Sequence, residues 1–185
     1  MTAAFFHGLE SPAVSDKTKF LEESFSTVFA PPMDYKDFTL FEKTLEQIET
    51  LKPDVLIGSS MGGYFAYFIS TLTGIPTIQF NPATNNRPIE TPVRTGTLMA
   101  NHIIILGQKD KVINPQTTLQ WYKENGLGNF SFNWEGNAHR TPIDIFQKYV
   151  KSFISANPSE LLKSSSDSHQ INEWILGSQN KENKL

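Results

Sequence analysis

The segment at residues 55–72 constrains the fold more than any other part of the chain. Residues 55–57 are a short, continuous apolar run, which is typical of a strand buried on both faces of a parallel sheet. A glycine-rich turn at residues 58–63 follows, and it leads into an apolar stretch at residues 64–72 that is long enough for a helix. A buried strand that turns at once into a buried helix predicts a βα unit.

The other apolar runs repeat this alternation of short and long segments. We expect further strands at residues 3–6, 27–30, 77–80, 103–106 and 130–132, and further helices at residues 16–25, 38–51, 116–123 and 143–154. Helices that alternate with apolar strands cover both faces of a parallel sheet. The pattern therefore predicts an α/β fold with a doubly wound, mostly parallel sheet.

Two segments do not fit the alternation. Residues 83–101 form a long link with prolines, which predicts a loop or a small cap over a site. Residues 157–185 are polar and rich in serine, which predicts a C-terminal tail. Three apolar residues of this tail would let a short helix dock: Ile171, Trp174 and Ile175. We therefore expect one α/β domain at residues 1–156, followed by the tail.

Charge and composition disfavour several functional classes. The formal net charge is -3, so the chain has no basic footprint for nucleic acid or for a membrane surface. The longest apolar-rich run, residues 64–69, is too short to cross a bilayer. The absence of cysteine excludes disulfides, a thiol nucleophile and cysteine-ligated metal. Residues 1–6 lack the features of a signal peptide, so we expect a cytoplasmic protein.

The turn after the central strand has the G-x-S-x-G pattern at residues 58–62, with Ser60 in the middle. This pattern is typical of a sharp strand-to-helix turn that exposes a serine hydroxyl, and the helix that follows directs its N-terminal amides to the same place. Ser60 is therefore a candidate nucleophile. The alternative is an ordinary βα turn with a serine helix cap. A phosphate-binding loop is disfavoured because no lysine follows the glycines.

A serine nucleophile needs a histidine base later in the chain, and the sequence has four histidines. His7 precedes Ser60, His102 begins a strand, and His169 lies in the predicted tail. His139 remains, in a loop after the strand at residues 130–132. The alternative interpretation of His139 is a surface loop histidine.

The supporting acid is expected between the nucleophile and the base in chain order. Asp110 follows the strand at residues 103–106 and meets this condition; the alternative is a turn aspartate that caps the next segment. Glu135 competes, but it lies too near His139 on the same strand end. Asp144 comes after His139 and breaks the order.

Acyl transfer also needs two N–H donors for the developing oxyanion. One candidate is the backbone N–H of Met61, directly after the nucleophile. The other is the backbone N–H of Leu9, because His7–Gly8 follows an early strand and Gly8 permits an unusual turn. His7 is then expected to be a structural hydrogen-bonding residue rather than a catalyst.

Taken together, these motifs resemble the YqiA-like small esterases of the α/β-hydrolase superfamily. The similarity runs from His7 to about Phe146 and rests on these segments: residues 7–12 with Ser15 and Lys17, residues 58–66, residues 81–83, residues 107–110 and residues 135–139. The resemblance implies a hydrolase fold with a minimal lid and activity on acyl esters or acyl-CoA. It also implies Ser60 as nucleophile, Asp110 as acid and His139 as base. The chain departs from the family pattern at Asn137, where a second glycine is usual, and at residues 140–141.

The sequence thus predicts a serine hydrolase that cleaves carboxylic esters or thioesters of small acyl substrates through an acyl-enzyme, without a metal or an organic cofactor. The alternative is a non-catalytic α/β-hydrolase-fold module that binds a small molecule or a protein. Phe65 and Leu98 are candidates for an acyl pocket, although the aromatic cluster around Phe65 is expected to be core. The oligomeric state and the preferred acyl chain do not follow from the sequence.

Overall fold

The six strands of the chain form one parallel sheet. The computed structural model describes residues 1–9, 11–85 and 87–156. In chain order the elements are β1 (Thr2–Phe6), α1 (Asp16–Ser24), β2 (Thr27–Phe29), α2 (Leu40–Leu51), β3 (Val55–Ser59), α3 (Met61–Thr73), β4 (Thr77–Phe80), β5 (Asn101–Gly107), α4 (Pro115–Asn125), β6 (Asn129–Glu135) and α5 (Ile143–Ser155). The strand order is β2-β1-β3-β4-β5-β6, and each neighbouring pair is parallel. The predicted doubly wound sheet is confirmed.

Adjacent residues of β1 show how the two faces of the sheet are covered. Successive side chains of a strand point to opposite faces. The Phe5 ring meets Phe146 of α5 edge-on, with 5.7 Å between centroids, whereas the Phe6 ring meets Phe65 of α3 at 5.8 Å. Phe20 of α1 also packs against Phe146. Helices α1 and α5 therefore lie on one face of the sheet, and α3 lies on the other.

The strand order reverses next to the centre of the sheet. After β1 the chain turns outward to β2, and it then returns to place β3 on the other side of β1. The connections that leave the carboxyl ends of β1 and β3 therefore run to opposite faces of the sheet, with α1 on one face and α3 on the other. In open α/β sheets such a point of reversal is where ligands bind. The turn after β3 and the loop after β1, both singled out in the sequence, meet at this point of the sheet.

Helix α3 begins three residues earlier than its apolar pattern predicts. The sequence places its start at Tyr64, because Gly62 and Gly63 disfavour helix. In the structure the helix starts at Met61, directly after Ser60, and its residues are buried through Thr71. Tertiary packing overrides propensity here: the glycines permit close contact between α3 and the neighbouring strands.

The link between β4 and β5 contains no helix or strand in its described residues, as expected for a loop. Residues 91–98, which we call the strap, are fixed to α2, to α3 and to the loop before α2, and these contacts do not involve Ser60, Asp110 or His139. Thr91 donates to the Tyr35 carbonyl at 2.9 Å, Arg94 pairs with Glu42 of α2, and the Gly96 N–H donates to Thr71 of α3. The strap therefore packs along α2 and α3, and these contacts do not support a cap.

The chain divides into two units, Met1–Tyr149 and Val150–Leu185. The described residues of the second unit, 150–156, belong to the end of α5 and the residue after it. The predicted tail at residues 157–185 lies outside the described residues, with its apolar positions Ile171, Trp174 and Ile175, so the boundary at 156 stays a prediction. Among the residues that the structure describes, no helix is long and apolar enough to cross a membrane.

Candidate active site

Ser60 lies at the sharp turn between β3 and α3 in a backbone conformation that few non-glycine residues adopt. Its φ and ψ angles are 54° and -118°. The backbone around it holds this conformation: the Ser60 N–H donates to the Phe80 carbonyl at 2.9 Å, and the Ser60 carbonyl accepts from Gly63 and Ala83. A strained residue that its surroundings fix in this way is characteristic of a functional site.

The two glycines of the G-x-S-x-G pattern are required by close backbone contacts. A Cβ atom on Gly58 would lie 2.2 Å from the Gly62 carbonyl oxygen. A Cβ atom on Gly62 would lie 1.9 Å from the carbonyl oxygen of Phe6, at the end of β1. Both distances are far below van der Waals contact. The pattern is therefore a packing requirement of the turn and not only a sequence signature.

The structure brings Ser60, His139 and Asp110 into one hydrogen-bonded chain. The His139 Nε2 atom is 3.0 Å from Ser60 Oγ, across 79 residues of sequence. The His139 Nδ1 atom is 2.7 Å from Asp110 Oδ2. The Asp110 side chain is 1% exposed, whereas the imidazole is 22% exposed. The acid is thus buried and the base reaches solvent.

The remaining contacts of Asp110 fix the tautomer of His139. Asp110 Oδ1 accepts hydrogen bonds from the backbone N–H groups of Val112, at 2.8 Å, and Ile113, at 2.9 Å. As an ionised carboxylate, Asp110 is only an acceptor, so its Oδ2 atom requires a proton on His139 Nδ1. The hydrogen-bond pattern therefore leaves the Nε2 lone pair directed at the Ser60 hydroxyl. This is the arrangement that a general base needs.

The predicted oxyanion donors both lie beside Ser60. Met61 is the first residue of α3, and the first N–H groups of a helix have no partner within the helix. Gly8 is close on the other side, since a Cβ atom there would lie 3.3 Å from Ser60 Cβ. Leu9 follows Gly8 and shares its peptide group. The structure thus brings the loop after β1 next to the turn that carries Ser60.

His7 is a structural residue, and it fixes the orientation of that peptide. Its Nε2 atom accepts from the Met33 N–H at 3.1 Å, which places the proton on Nδ1. The Nδ1–H group donates to the Gly8 carbonyl at 2.8 Å, and the Ser11 N–H donates to the same oxygen. In a trans peptide the Leu9 N–H points away from this carbonyl. His7 therefore determines where that donor points.

Two of the rejected candidates, His102 and Glu135, have other roles in the structure, and His169 lies outside the described residues. His102 is buried at the amino end of β5, where it bonds Thr77 and the Leu127 carbonyl, and burial lowers its pKa to about 4. Glu135 forms an ion pair with Lys148 at 2.6 Å, and this bond lowers the pKa of the Glu135 carboxyl. Neither residue touches Ser60 or His139 in the hydrogen bonds of the described chain.

The two candidates for an acyl pocket are not supported. Phe65 is fully buried and packs its ring against Phe6, Tyr35 and Phe41. Its place in the core follows the expectation for the aromatic cluster and excludes a role as a pocket wall. Leu98 is 47% exposed and lies near Gly74, at the far end of α3 from Ser60.

Sequence reasoning assigned no role to Asn81, the residue after β4. Asn81 is 3% exposed and has a positive φ of 46°. Its side chain bonds to Gly107 at the end of β5 and to the loop that carries His139. The available signal was an asparagine directly after a buried strand and before a proline, because asparagine tolerates the left-handed region.

The described residues contain no cluster of three or more His, Asp or Glu side chains arranged to hold a metal ion. Two surface grooves of about 370 Å³ lie along the C-terminal part of α2. Neither groove is lined by Ser60, Asp110 or His139.

Comparisons with known proteins agree with this architecture. The model of an uncharacterised protein family, UPF0227, matches residues 4–92. The matched segment contains Ser60 and the loop after β1 and ends before Asp110. The comparison with curated proteins found no match.

Several solved structures share the fold at low sequence identity. A protein of the α/β superfamily of hydrolases from Xanthomonas campestris pv. campestris is 20% identical, with a TM-score of 0.59, and the match covers 88% of this chain and 97% of that one. An α/β-hydrolase enzyme from a lagoon-sediment metagenome of Mar Chica, Morocco, is 14% identical, with a TM-score of 0.64, over 82% of this chain and 89% of that one.

A third structure, Est1E from Butyrivibrio proteoclasticus with bound ferulic acid, is 12% identical, with a TM-score of 0.60. The match covers 83% of this chain and 87% of that one. At this level of identity the structures establish the fold. The chain has the fold of these α/β hydrolases, and its residues 4–92 are similar to the uncharacterised family UPF0227, the YqiA-like group that the sequence motifs resemble.

Proposed function

We propose that the chain is a serine hydrolase that cleaves carboxylic esters or thioesters of small acyl substrates, with Ser60 as nucleophile, His139 as base and Asp110 as supporting acid. The observation that carries the proposal is the continuous hydrogen-bonded chain from Ser60 Oγ through the His139 ring to Asp110 Oδ2. A serine hydroxyl is a weak nucleophile near neutral pH, and an oriented imidazole supplies the base that it lacks.

The reaction proceeds in two acyl transfers. Ser60 Oγ attacks the carbonyl carbon while His139 Nε2 takes the hydroxyl proton, and the ionised Asp110 stabilises the imidazolium. The backbone N–H groups of Leu9 and Met61 stabilise the negative oxygen of the tetrahedral intermediate. When the intermediate collapses, the imidazolium gives its proton to the leaving alcohol or thiol. Water, deprotonated by His139, then attacks the acyl-enzyme and releases the acid.

Exposed apolar side chains around the site support an acyl substrate. Val14, Val112 and Ile143 are 74%, 61% and 37% exposed. They lie on the loops or helix starts that follow β1, β5 and β6, the strands whose loops carry Leu9, Asp110 and His139. Because parallel strands end at the same side of the sheet, we expect these side chains on the side that carries Ser60. An apolar rim favours acyl chains over strongly charged substrates.

A fluorophosphonate probe and a Ser60→Ala variant test the proposal. The probe labels serines that are activated as nucleophiles, so we expect it to modify Ser60 in the wild-type protein and to leave the variant unmodified. Turnover of p-nitrophenyl esters or acyl-CoA thioesters should fall by several orders of magnitude in Ser60→Ala. Ser59→Ala, at the preceding position of the same turn, is the matched control and should keep most of the activity.

Two results would contradict the proposal. Full turnover in Ser60→Ala would exclude Ser60 as the nucleophile. A folded wild-type protein that neither reacts with the probe nor cleaves any ester or thioester of the panel would favour the alternative, a binding module on the hydrolase fold. The same panel separates esters from thioesters. The cytoplasmic location and the absence of a nucleic-acid partner stay predictions from the sequence.

A further inference from the structure

The carboxamide of Asn81 joins the ends of three neighbouring strands. Asn81 directly follows β4, and its Oδ1 atom accepts the Gly107 N–H, at the end of β5, at 2.6 Å. Its Nδ2 atom donates to the carbonyl oxygens of His139, at 2.8 Å, and Ala138, at 3.3 Å, in the loop after β6. The amide oxygen thus binds the end of β5, and the amide nitrogen binds the loop after β6. Because one side meets an N–H group and the other meets carbonyl oxygens, this pattern assigns the Oδ1 and Nδ2 atoms.

The two loops that Asn81 joins are those that carry the acid and the base of the proposed triad. Gly107 is three residues before Asp110, and the backbone of His139 is itself a partner of the amide. The loops are also joined directly, since the Lys109 N–H donates to the Asn137 carbonyl at 3.0 Å. The position of the imidazole relative to Asp110 therefore depends on a short, buried set of backbone contacts around Asn81.

Asn81 is suited to this place for two physical reasons. Its φ of 46° lies in the left-handed region, which asparagine tolerates better than most residues. Its side chain is buried, so its bonds compete with little water, and an unpaired partner there would be costly. Replacement of the amide would remove this partner from the Gly107 N–H and the His139 carbonyl at once, whereas the Ala138 carbonyl would keep its hydrogen bond from Asn137.

We propose that Asn81 is a positioning residue of the active site, which sets the distance between the His139 imidazole and both Asp110 and Ser60. The inference rests on the proposed function for its catalytic meaning. Among the described residues Asn81 makes no hydrogen bond to Ser60 Oγ or to the imidazole, and it acts through the His139 backbone. A small displacement of a base costs rate because proton transfer and attack both need close alignment.

Two variants and one matched control test this role. Asn81→Gly keeps the left-handed backbone and removes the amide. Asn81→Asp keeps the acceptor for the Gly107 N–H but replaces the donor with a carboxylate oxygen, which the two carbonyl oxygens repel. Gln79→Met is the control: Gln79 is a buried amide on the same strand, but it bonds Thr77 and Tyr122. All three changes should lower the melting temperature, so loss of stability alone cannot distinguish them.

For Asn81→Gly we expect kcat to fall about a hundredfold with KM within a few-fold, because orientation of the base is lost rather than substrate binding. Gln79→Met should keep kcat. An NMR spectrum of the free protein gives a readout independent of turnover: the low-field resonance of the His139 Nδ1 proton, bonded to Asp110, should weaken or disappear in Asn81→Gly and persist in Gln79→Met.

Unchanged kcat and an unchanged Nδ1 resonance in Asn81→Gly would overturn the inference. An equal loss of kcat in Gln79→Met would also overturn it, since destabilisation would then explain both. If Asn81→Gly does not fold, Asn81→Asp decides on the same two readouts. If the wild-type protein has no hydrolase activity, the proposed function fails, but the Nδ1 resonance still tests whether Asn81 holds His139 against Asp110.

Discussion

At the scale of single residues, the site depends on side chains in which every polar atom has a partner. Asp110 directs one oxygen to His139 and the other to two backbone N–H groups. His7 uses both ring nitrogens to hold Met33 and the Gly8 peptide. A side chain held through every polar atom has one stable orientation, because each alternative orientation leaves a buried group unpaired. Preorganisation of this kind is what electrostatic catalysis needs.

Asp110→Asn separates the orienting role of the acid from its structural role. The Oδ1 atom of asparagine can still accept from Val112 and Ile113, so the free energy of unfolding should change little. Its amide N–H would face His139 Nδ1 and force the ring proton onto Nε2, where it blocks acceptance of the Ser60 proton. We expect kcat to fall about 10⁴-fold, the effect known for this change in a serine protease triad.

Steady-state kinetics and chemical unfolding measure the two effects. Asp144→Asn is the matched control, since Asp144 lies in the first turn of α5 outside the hydrogen-bonded chain of Ser60. It should keep nearly full activity. If Asp110→Asn retained wild-type kcat, Asp110 would not orient the base, and a turn aspartate would be the correct interpretation.

At the scale of elements, the sequence predicted the type and order of every strand and helix in the described chain, and errors fell at their ends. Strand β4 and helix α5 were predicted almost to the residue because Thr77–Phe80 and the amphipathic run from Ile143 have clear limits. The start of α3 was missed because its glycines are required by contacts with β1, which is distant in sequence. Such contacts are not visible in local propensity.

The contact between α3 and β1 predicts a strong effect of one methyl group. In Gly62→Ala the new Cβ atom would overlap the Phe6 carbonyl oxygen, which is backbone and cannot rotate away. The helix must then move from the strand, and the turn with Ser60 moves with it. We expect the free energy of unfolding to fall by about 3 kcal/mol or more.

Gly136→Ala is the matched control for this prediction. Gly136 lies just after β6, near His139 in sequence, and a Cβ atom there would have no neighbour within 4 Å. Its effect on stability should stay within about 0.5 kcal/mol. Urea unfolding of both variants gives the comparison. Equal stabilities would mean that α3 does not pack tightly against β1.

At the scale of the whole molecule, the sequence predicted the residues that meet at the site but not the network that holds them. Chain order and elimination were sufficient to select Ser60, Asp110 and His139, because each follows a strand and parallel strands end at one edge. Asn81 was not assigned a role because its partners are backbone groups of Gly107 and His139, and backbone partners leave no pattern in sequence. The path of the strap along α2 was not predicted either, because its contact there, Arg94 with Glu42, joins residues that are far apart in sequence.

The amino ends of β4 and β5 contain a second buried hydrogen-bond network, and this network makes the stability of the protein depend on pH. Gln79 donates to Thr77 Oγ1, so the Thr77 hydroxyl donates to His102 Nδ1, and the ring donates from Nε2 to the Leu127 carbonyl. The folded protein therefore needs neutral His102. Burial agrees with this requirement, since it lowers the pKa of His102 to about 4.

The sign of the pH effect follows from these values. An unfolded histidine has a pKa of about 6.5, so between about pH 6.5 and pH 4 the unfolded chain binds more protons than the folded one. Acid therefore favours unfolding in this range, and the loss of stability due to His102 is complete below pH 4.

From pH 7 to pH 5, His102 should lower the free energy of unfolding by about 2 kcal/mol. Urea unfolding at both values measures the change. In His102→Gln, which cannot take up the proton, the difference between pH 7 and pH 5 should shrink by that amount, even if the variant is less stable at pH 7. An undiminished difference would mean that His102 is not the group that senses acid, because the other histidines and the carboxylates are the same in both proteins.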